Sequence, residues 1–253
     1  MDARLPIYVI NMAQDVERMV SISTQMERFG LQFERIEAVN GRTLSAADRN
    51  ELYADSWCRI IHGRSANNGE IGVGLSHRKI YKKMIDEAIE CAVIFEDDVA
   101  LLPKFSEHLA EIESSTREFD MVQLFSFRQP ERKLHAIPSG LFEIKTYNNL
   151  HASAAAYLIR LEGAKKLMRL PRMRVLADRW CWMSVMTGLK CCAIIPFPIA
   201  LDKKLSLNSS VSKVGAQTST HSKSKRLGKN IWRLLVLPWL NFVKLLMLRS
   251  RGL

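Results

Sequence analysis

No C-x-x-C pair occurs in the 253 residues, and the five cysteines, Cys58, Cys91, Cys181, Cys191 and Cys192, are odd in number and scattered. That usage lacks the spacing of a zinc or redox site and fits a reducing, intracellular compartment. The opening MDARLPIYVINMAQD has an acid at position 2, a short apolar run and no small-residue cleavage site, so it reads as no export signal. No internal repeat is visible. Acidic residues are missing from one end: from Lys203 to Leu253 there are 11 Lys or Arg and no Asp or Glu. The whole net charge of +11 therefore lies in this tail, and residues 1–202 balance 26 bases with 26 acids. A nucleic-acid-binding body is excluded on that count. A hydrophobic content of 47% excludes disorder throughout and suffices for one large domain or two small ones.

The pattern along the body alternates strand and helix. Residues 6–11 (PIYVIN) are β-rich. Asp15 then precedes a helix whose apolar positions Val16, Met19, Ile22, Met26 and Phe29 recur at helical spacing, with Gly30 as its stop. FERIEAV (33–39) alternates as a strand does, and Asn40–Gly41 supplies a turn. This β-α-β opening predicts a doubly wound sheet. After a polar stretch to about Asn68, a helix is predicted over 71–89, then the strand CAVIF. Residues 120–127 and 153–160 read as strands, 128–150 as irregular, 161–170 as helix, 178–188 as helix opened by Asp178, and 191–197 as a core strand containing Cys191 and Cys192.

At AVIFEDDVAL (92–101) the apolar strand runs into three adjacent carboxylates, Glu96, Asp97 and Asp98. Neighbouring negative charges repel unless something positive sits against them, and a divalent metal would serve. A solvated turn is the plainer alternative. The acids stand at the carboxyl end of a strand, where open α/β sheets receive ligands.

The segments YVINMAQDVERM, FERIEAVNGRTL, GEIGVGLSHRKIYKKM, VIFEDDVAL, DMVQLFSF and SAAAYLIRLEGAKKLM, in this order, resemble glycosyltransferase family 25 over roughly residues 5–200. The resemblance departs from the family's common pattern at Val73, where Cys is usual, and at Phe95, where Leu is frequent. It implies a GT-A type fold, a Rossmann-like mixed sheet flanked by helices, with a UDP-sugar donor, Mn²⁺ or Mg²⁺, and inversion at the anomeric carbon. By likeness EDD stands for the D-x-D motif: Asp98 binds the metal, and Glu96 and Asp97 approach the ribose or donor sugar. An Asp recurs in the family at Asp178, which makes it the candidate general base, although the same residue could be simply an N-cap.

Other candidates follow from position. Arg18, one turn into the first helix, could reach a diphosphate with its planar fork, or be a surface arginine. Asn11 and Asn40 end the first two strands, where uridine recognition is expected and where turn chemistry serves almost as well. His77, with Ser76 beside it, is a substrate-contact candidate inside a helix, where packing is the more common role. Glu70 competes with Asp178 as base, though a helix dipole would also place it there.

The tail KSKRLGKNIWRLLVLPWLNFVKLLMLRSRGL joins a basic linker (203–230) to an apolar segment (231–253) containing Arg233, Pro238 and Lys244. Two charges and a proline argue against a spanning helix. Trp232 and Trp239 with flanking bases suit an amphipathic helix on an anionic membrane surface, the alternative being a helix that packs back on the body or into an oligomer. The sum is a cytoplasmic enzyme, peripheral on the inner face of the bacterial inner membrane. It would move galactose from UDP-galactose to a lipid-linked lipooligosaccharide or lipopolysaccharide core. A non-catalytic membrane scaffold retaining the α/β body is the alternative; a phosphohydrolase would need more acidic or histidine ligands than are clustered.

Overall fold

The computed structural model describes residues 5–103, 105–127, 135–139, 142–146 and 153–206. The expected amphipathic segment (231–253) and all but the first four residues of the expected linker (203–230) lie outside the described residues. No helix among the described residues is long and apolar enough to cross a membrane.

Strand β1 (Ile7–Asn11) is buried on both faces, as a central parallel strand must be. Helix α1 (Val16–Arg28) buries Ile22 and Met26, two of its predicted apolar positions. It ends in a Schellman motif, with Gly30 at φ 62° and the Leu31 N–H reaching the Met26 carbonyl at 2.9 Å. Strand β2 (Glu34–Glu37) buries only Ile36.

The polar stretch expected up to Asn68 holds two short helices, α2 (Ala46–Leu52) and α3 (Asp55–His62). Ser45 and Asp48 form a capping box on α2, and Cys58 and Ile61 give α3 its buried face. The S-x-x-D signal was present in the sequence, but α2 buries none of its residues, so no apolar period announced it.

Helix α4 (Asn68–Asp86) begins three residues before its predicted start, because Asn67 and Glu70 close a capping box there, and it ends three residues before its predicted end, with Glu87 at the C-cap. Strand β3 (Cys91–Glu96) and strand β4 (Val99–Leu101) flank the Asp97–Asp98 turn, and α5 (Phe105–Ser115) follows. Strand β5 (Met121–Gln123) is shorter than the predicted 120–127. The stretch read as irregular contains a hairpin, β6 (His135–Ser139) and β7 (Phe142–Thr146), whose pairing beside the edge of the sheet no local period reveals. The chain continues through β8 (Ala156–Arg160), α6 (Leu161–Met168), α7 (Trp180–Thr187), β9 (Cys191–Ile195), β10 (Ile199–Leu201) and α8 (Lys203–Ser206).

The main sheet has the order β2-β1-β3-β8-β5-β9-β7-β6, and β10 pairs with β4 in a separate ribbon. Strands β1, β2 and β3 run parallel, while β8 lies antiparallel between β3 and β5. This is the mixed, Rossmann-like α/β sheet of GT-A type that the sequence predicted. Side chains alternate between two cores. Val9, Phe95 and Leu158 face α1 and α5, whereas Tyr8, Ile94 and Tyr157 face α4, α6 and α7. A smaller core under α2 and α3 includes Tyr53, Cys58, Ile71 and Met173. Cys58, Cys91, Cys191 and Cys192 are buried thiols outside any disulfide.

Two glycines let backbone meet backbone where the loop after β2 crosses the start of α4. A Cβ on Gly72 would lie 2.4 Å from the Val39 carbonyl oxygen, and one on Gly41 would lie 1.8 Å from that of Asn68. Gly30 has only its positive φ to protect, with open space around it. Gly72→Ala is therefore expected to cost about 1–3 kcal/mol in urea unfolding, through forced backbone displacement. Gly30→Ala should cost about 1 kcal/mol; a smaller loss at Gly72 than at Gly30 would contradict the packing argument.

Candidate active site

Parallel alignment of β1, β2 and β3 brings their carboxyl ends to one edge, and a cleft of about 660 Å³ opens there. Its size suits a nucleotide-sized ligand. Eight of the ten residues singled out from the sequence line it, Asn11, Arg18, Asn40, Ser76, His77, Glu96, Asp97 and Asp98, while Glu70 stands outside the lining. Asp178 is not among the lining residues.

The floor is an anchored anion cluster. Asn11 ends β1 and donates from Nδ2 to Asp97 Oδ2 at 2.8 Å, while its Oδ1 accepts from Arg35 Nε at 2.9 Å. Arg18 Nη1 donates to Asp97 Oδ1 at 2.6 Å and lies 3.9 Å from Asp98 Oδ2. The second Arg18 nitrogen donates to the Leu205 carbonyl in α8 at 2.8 Å. Burial pushes the Asp97 carboxyl above its ordinary range even though Arg18 and Asn11 pull it down. Burial also works against the Arg18 charge, but Asp97 more than offsets it. Arg18 is thus an internal counter-ion in the present geometry, held between the turn and α8, rather than a surface arginine.

Seven residues along α1, on the same helix face, Gln25 donates to the Val99 carbonyl at 3.1 Å and accepts from the Leu101 N–H at 2.8 Å. The Asp202 N–H donates to the Asp98 carbonyl at 2.8 Å from the other side. The acidic turn is consequently clamped by α1 and by the end of β10. Arg35, Gln25 and Leu205 were not found by sequence reasoning: two act from half-exposed positions and the third through its backbone, and none carries a local motif.

Asp98 is the residue without a settled partner. Its Oδ1 is sealed from solvent and makes no hydrogen bond. Burial, then the charge of Glu96, pushes its carboxyl up to about 7. Two carboxylates here are served by one arginine, and Asp98 holds the far end of that sharing. No group of three or more His, Cys, Asp or Glu poised for a metal occurs among the described residues. A hard cation that takes one or two carboxylate oxygens from protein, with ligand phosphates and water for the rest, fits a buried, unpaired Asp98 oxygen beside Glu96.

On the opposite wall Glu96 meets a buried chain of polar groups. His77 Nε2 lies 3.4 Å from Glu96 Oε1, and His77 Nδ1 is 2.7 Å from the Tyr157 hydroxyl. That hydroxyl is in turn 2.7 Å from the hydroxyl of Tyr81. A neutral His77 protonated on Nε2 satisfies every link: Tyr81 donates to Tyr157, Tyr157 to Nδ1, and Nε2 to the carboxylate. Burial holds both phenols well above their ordinary range, which keeps them neutral donors. His77 is therefore both packed and in contact with a cleft-lining acid. The tyrosines escaped sequence reasoning because Tyr157 lies on β8, 76 and 80 residues from its partners Tyr81 and His77 on α4.

Three candidates have their hydrogen bonds spent on structure. Ser76 Oγ accepts from the Val39 N–H at 2.8 Å and donates to the Gly72 carbonyl at 2.7 Å. Asn40 Oδ1 accepts from the Arg42 N–H at 3.0 Å, so its amide oxygen closes its own turn. Glu70 accepts from the Asn67 N–H and is gripped by both Arg64 terminal nitrogens. Burial would raise the Glu70 carboxyl, but Arg64 and Asn67 hold it below its ordinary value. A carboxylate so occupied is poorly placed to take a proton.

Asp178 differs. It precedes α7, and Arg179, not Asp178, is the residue at the N-cap; no side-chain cap bond is made. Its Oδ1 is sealed and unbonded while the side chain as a whole stays 36% exposed, with Arg179 Nε 3.4 Å away. Burial pushes the carboxyl up against Arg179, and the charges of Glu96 and Glu70 add to the rise. These influences place Asp178 within electrostatic reach of Glu96 although outside the cleft lining.

Fold and cleft together mark an α/β protein that receives a ligand across the carboxyl edge of a Rossmann-like sheet. Comparison with known proteins narrows this class: the model of glycosyltransferase family 25 (LPS biosynthesis protein) matches residues 4–178, and the chain belongs to that family. It is 30% identical over 173 residues to a glycosyltransferase 25 family member of Aedes aegypti, covering 64% of this chain and 27% of the relative. Against procollagen galactosyltransferase 1-A of Xenopus laevis it is 26% identical, covering 64% of this chain and 28% of the relative. A probable inactive glycosyltransferase 25 family member 3 of Bos taurus is also 26% identical, again over 64% of this chain and 28% of the relative. The chain thus spans little more than a quarter of the length of these curated relatives.

The half-satisfied Asp98 carboxyl gives a pH signature. Its value of about 7 in the folded protein exceeds the ordinary 3.8, so the folded state binds this proton more tightly than the unfolded chain between those limits. Stability should accordingly fall as pH rises from about 4 to about 7 and stay level above. In chelator-treated protein Asp98→Asn should raise the thermal midpoint at pH 8 by several degrees, corresponding to at least about 1 kcal/mol. The gain should shrink markedly by pH 5; an equal gain at both pH values would show that Asp98 does not titrate as described.

Proposed function

We propose that the chain is an inverting, metal-assisted glycosyltransferase that moves a sugar, galactose in the first instance, from a UDP-sugar to a glycan acceptor. The observation that carries the reading is the clamped acidic turn, in which a family-25 chain keeps one buried Asp98 oxygen without a partner. The name of the Xenopus relative supports galactose as the sugar to test first.

In this reading the cleft beside Asn11 and Asn40 takes the uridine, and Glu96 and Asp97 border the ribose and donor sugar. Asp98, with Glu96 near it, would hold Mn²⁺ or Mg²⁺. Such an ion, when bound, supplies a Lewis acid for the charge that develops on the departing diphosphate. Arg18 keeps Asp97 from facing Asp98 as an uncompensated anion. His77, supported by Tyr157, orients Glu96. Asp178 takes the proton from the acceptor hydroxyl as that oxygen bonds to the anomeric carbon and the bond from that carbon to the diphosphate oxygen breaks, releasing UDP. A base with a raised carboxyl is the better matched to that transfer, and burial beside Glu96 supplies the rise.

The acceptor we assign is the sugar of a lipid-linked lipooligosaccharide or lipopolysaccharide core. The basic tail and its apolar segment 231–253 support an enzyme peripheral on the inner face of the inner membrane, where such an acceptor would be presented.

Calorimetry should detect UDP binding that depends on added Mn²⁺ or Mg²⁺, and a panel of UDP-sugars should reveal turnover with at least one. Asp98→Ala should abolish both the metal-dependent binding and turnover while the protein stays folded. In Asp178→Asn turnover should fall about 10²–10⁴-fold with UDP affinity unchanged; an undiminished rate would remove Asp178 from the mechanism. Silence of the full chain with every donor, metal and core acceptor offered would favour the non-catalytic scaffold.

A further inference from the structure

A second cleft of about 520 Å³ lies beyond the first, and its charge is opposite in character to that of the acidic turn. Four arginines line it, Arg49, Arg59, Arg172 and Arg174, against one carboxylate, Asp55. Asp55 is already spent: Arg59 Nε donates to it at 2.6 Å and the Tyr53 hydroxyl at 3.0 Å. Among the described residues no carboxylate lies within ion-pair distance of Arg49, Arg172 or Arg174. Three cationic groups without anions thus converge on a cavity large enough for a sugar residue or two.

The convergence is built by the backbone. Met173 forms a single parallel bridge with Tyr53: its N–H donates to the Leu52 carbonyl at 2.8 Å, and its carbonyl accepts from the Ala54 N–H at 2.9 Å. Extended backbone sends neighbouring side chains to opposite sides. Met173 is buried against Gly74, so Arg172 and Arg174 emerge together on the outer side. There the Arg174 guanidinium lies 5.3 Å from the ring centre of Trp57, a large aromatic that is 41% exposed. Arg172 is steadied through the Asn50 carbonyl at 3.2 Å.

Placement links this cleft to the reaction. Arg49 lines both cavities, donating to Asn68 Oδ1 on the donor side, and Arg172 and Arg174 belong to the loop that ends at Asp178. Guanidinium groups pair bidentately with phosphate and carboxylate oxygens, and an exposed indole offers an apolar face to sugar C–H groups. Resting on the glycosyltransferase reading above, we infer that this arginine cleft is an acceptor subsite that selects a sugar bearing an anionic group, either phosphate or carboxylate. The anionic residue of the acceptor docks there while a neighbouring hydroxyl is presented toward Asp178.

The test uses the full chain with glucose 6-phosphate and glucuronate as probes, and glucose and inorganic phosphate as comparators, followed by ligand-observed NMR titration. Both anionic sugars should bind at least tenfold more tightly than either comparator. The double variant R172Q/R174Q, altered only at the outer side of the loop, should weaken them at least tenfold while its thermal midpoint stays within a degree or two. Trp57→Ala should weaken both anionic sugars and leave inorganic phosphate unchanged. Undiminished binding in the double variant, or inorganic phosphate binding as tightly as glucose 6-phosphate, would overturn the inference. Metal-dependent UDP binding, measured in the same samples, should be the same in all variants. Its absence from every sample would count against the donor reading alone, since the arginine cleft is decided by the sugar titrations.

Discussion

The Arg18–Asp97 ion pair is the contact on which the site depends. Three successive carboxylates at the end of a strand buried from Cys91 to Phe95 are unfavourable in a low-dielectric setting, and among the described residues Arg18 is the only Lys or Arg ion-paired with the turn that carries them. Arg18 can do so because it is held in place at its far side by the Leu205 carbonyl, while Asn11 fixes the second Asp97 oxygen. Removing either partner would leave a buried charge uncompensated. The arrangement gives each Asp97 oxygen a donor and leaves one Asp98 oxygen without any, and in the proposed reading a metal ion would relieve that imbalance.

The remaining architecture arranges walls around this turn. Close backbone contact at Gly41 and Gly72 seats the loop after β2 on the start of α4, and Ser76 ties the same two elements from beneath. Asn67 and Glu70 fix where α4 begins. From the interior, Tyr81 and Tyr157 hand a hydrogen-bonded chain to His77 and through it to Glu96. Residues that look like ligand contacts in a linear reading are therefore of two kinds. Ser76, Asn40 and Glu70 spend their hydrogen bonds on local structure, whereas Glu96, Asp97 and Asp98 line the cleft, Asp97 with both oxygens held by Asn11 and Arg18 and Asp98 with one oxygen unbonded.

A division of charge runs across the face of the molecule. The donor-side cleft concentrates carboxylates around the end of β3, and the neighbouring cleft concentrates guanidinium groups around Met173. Arg49 stands at the boundary of the two. In the proposed reading such a contrast over a short distance would orient a diphosphate-bearing donor at one cleft and an anionic acceptor at the other.

Periodicity and chemistry made part of this legible. Alternating apolar strands and amphipathic helices in β1, α1, α4 and β3 specified the α/β class, because each buries apolar side chains in the sheet's cores; the acids closing β3 pointed to the carboxyl edge of the sheet, where the cleft opens. The helices α2 and α3 and the β6–β7 hairpin were not readable, since their partners lie on other segments and their own patterns are short or polar. Which candidates share a cleft was decided only by tertiary structure: eight were brought together by the parallel order of β2, β1 and β3 and the packing of α4 against them, and Asp178 was set apart. The same holds for the groups that fix Asn11 and Arg18 in place, Arg35 and the Leu205 carbonyl, and for the placing of Arg172 and Arg174 on one side of a bridged segment. Sequence records which groups are available; the distances that turn a carboxylate into a satisfied ion pair or an unpaired ligand arise only when remote segments pack.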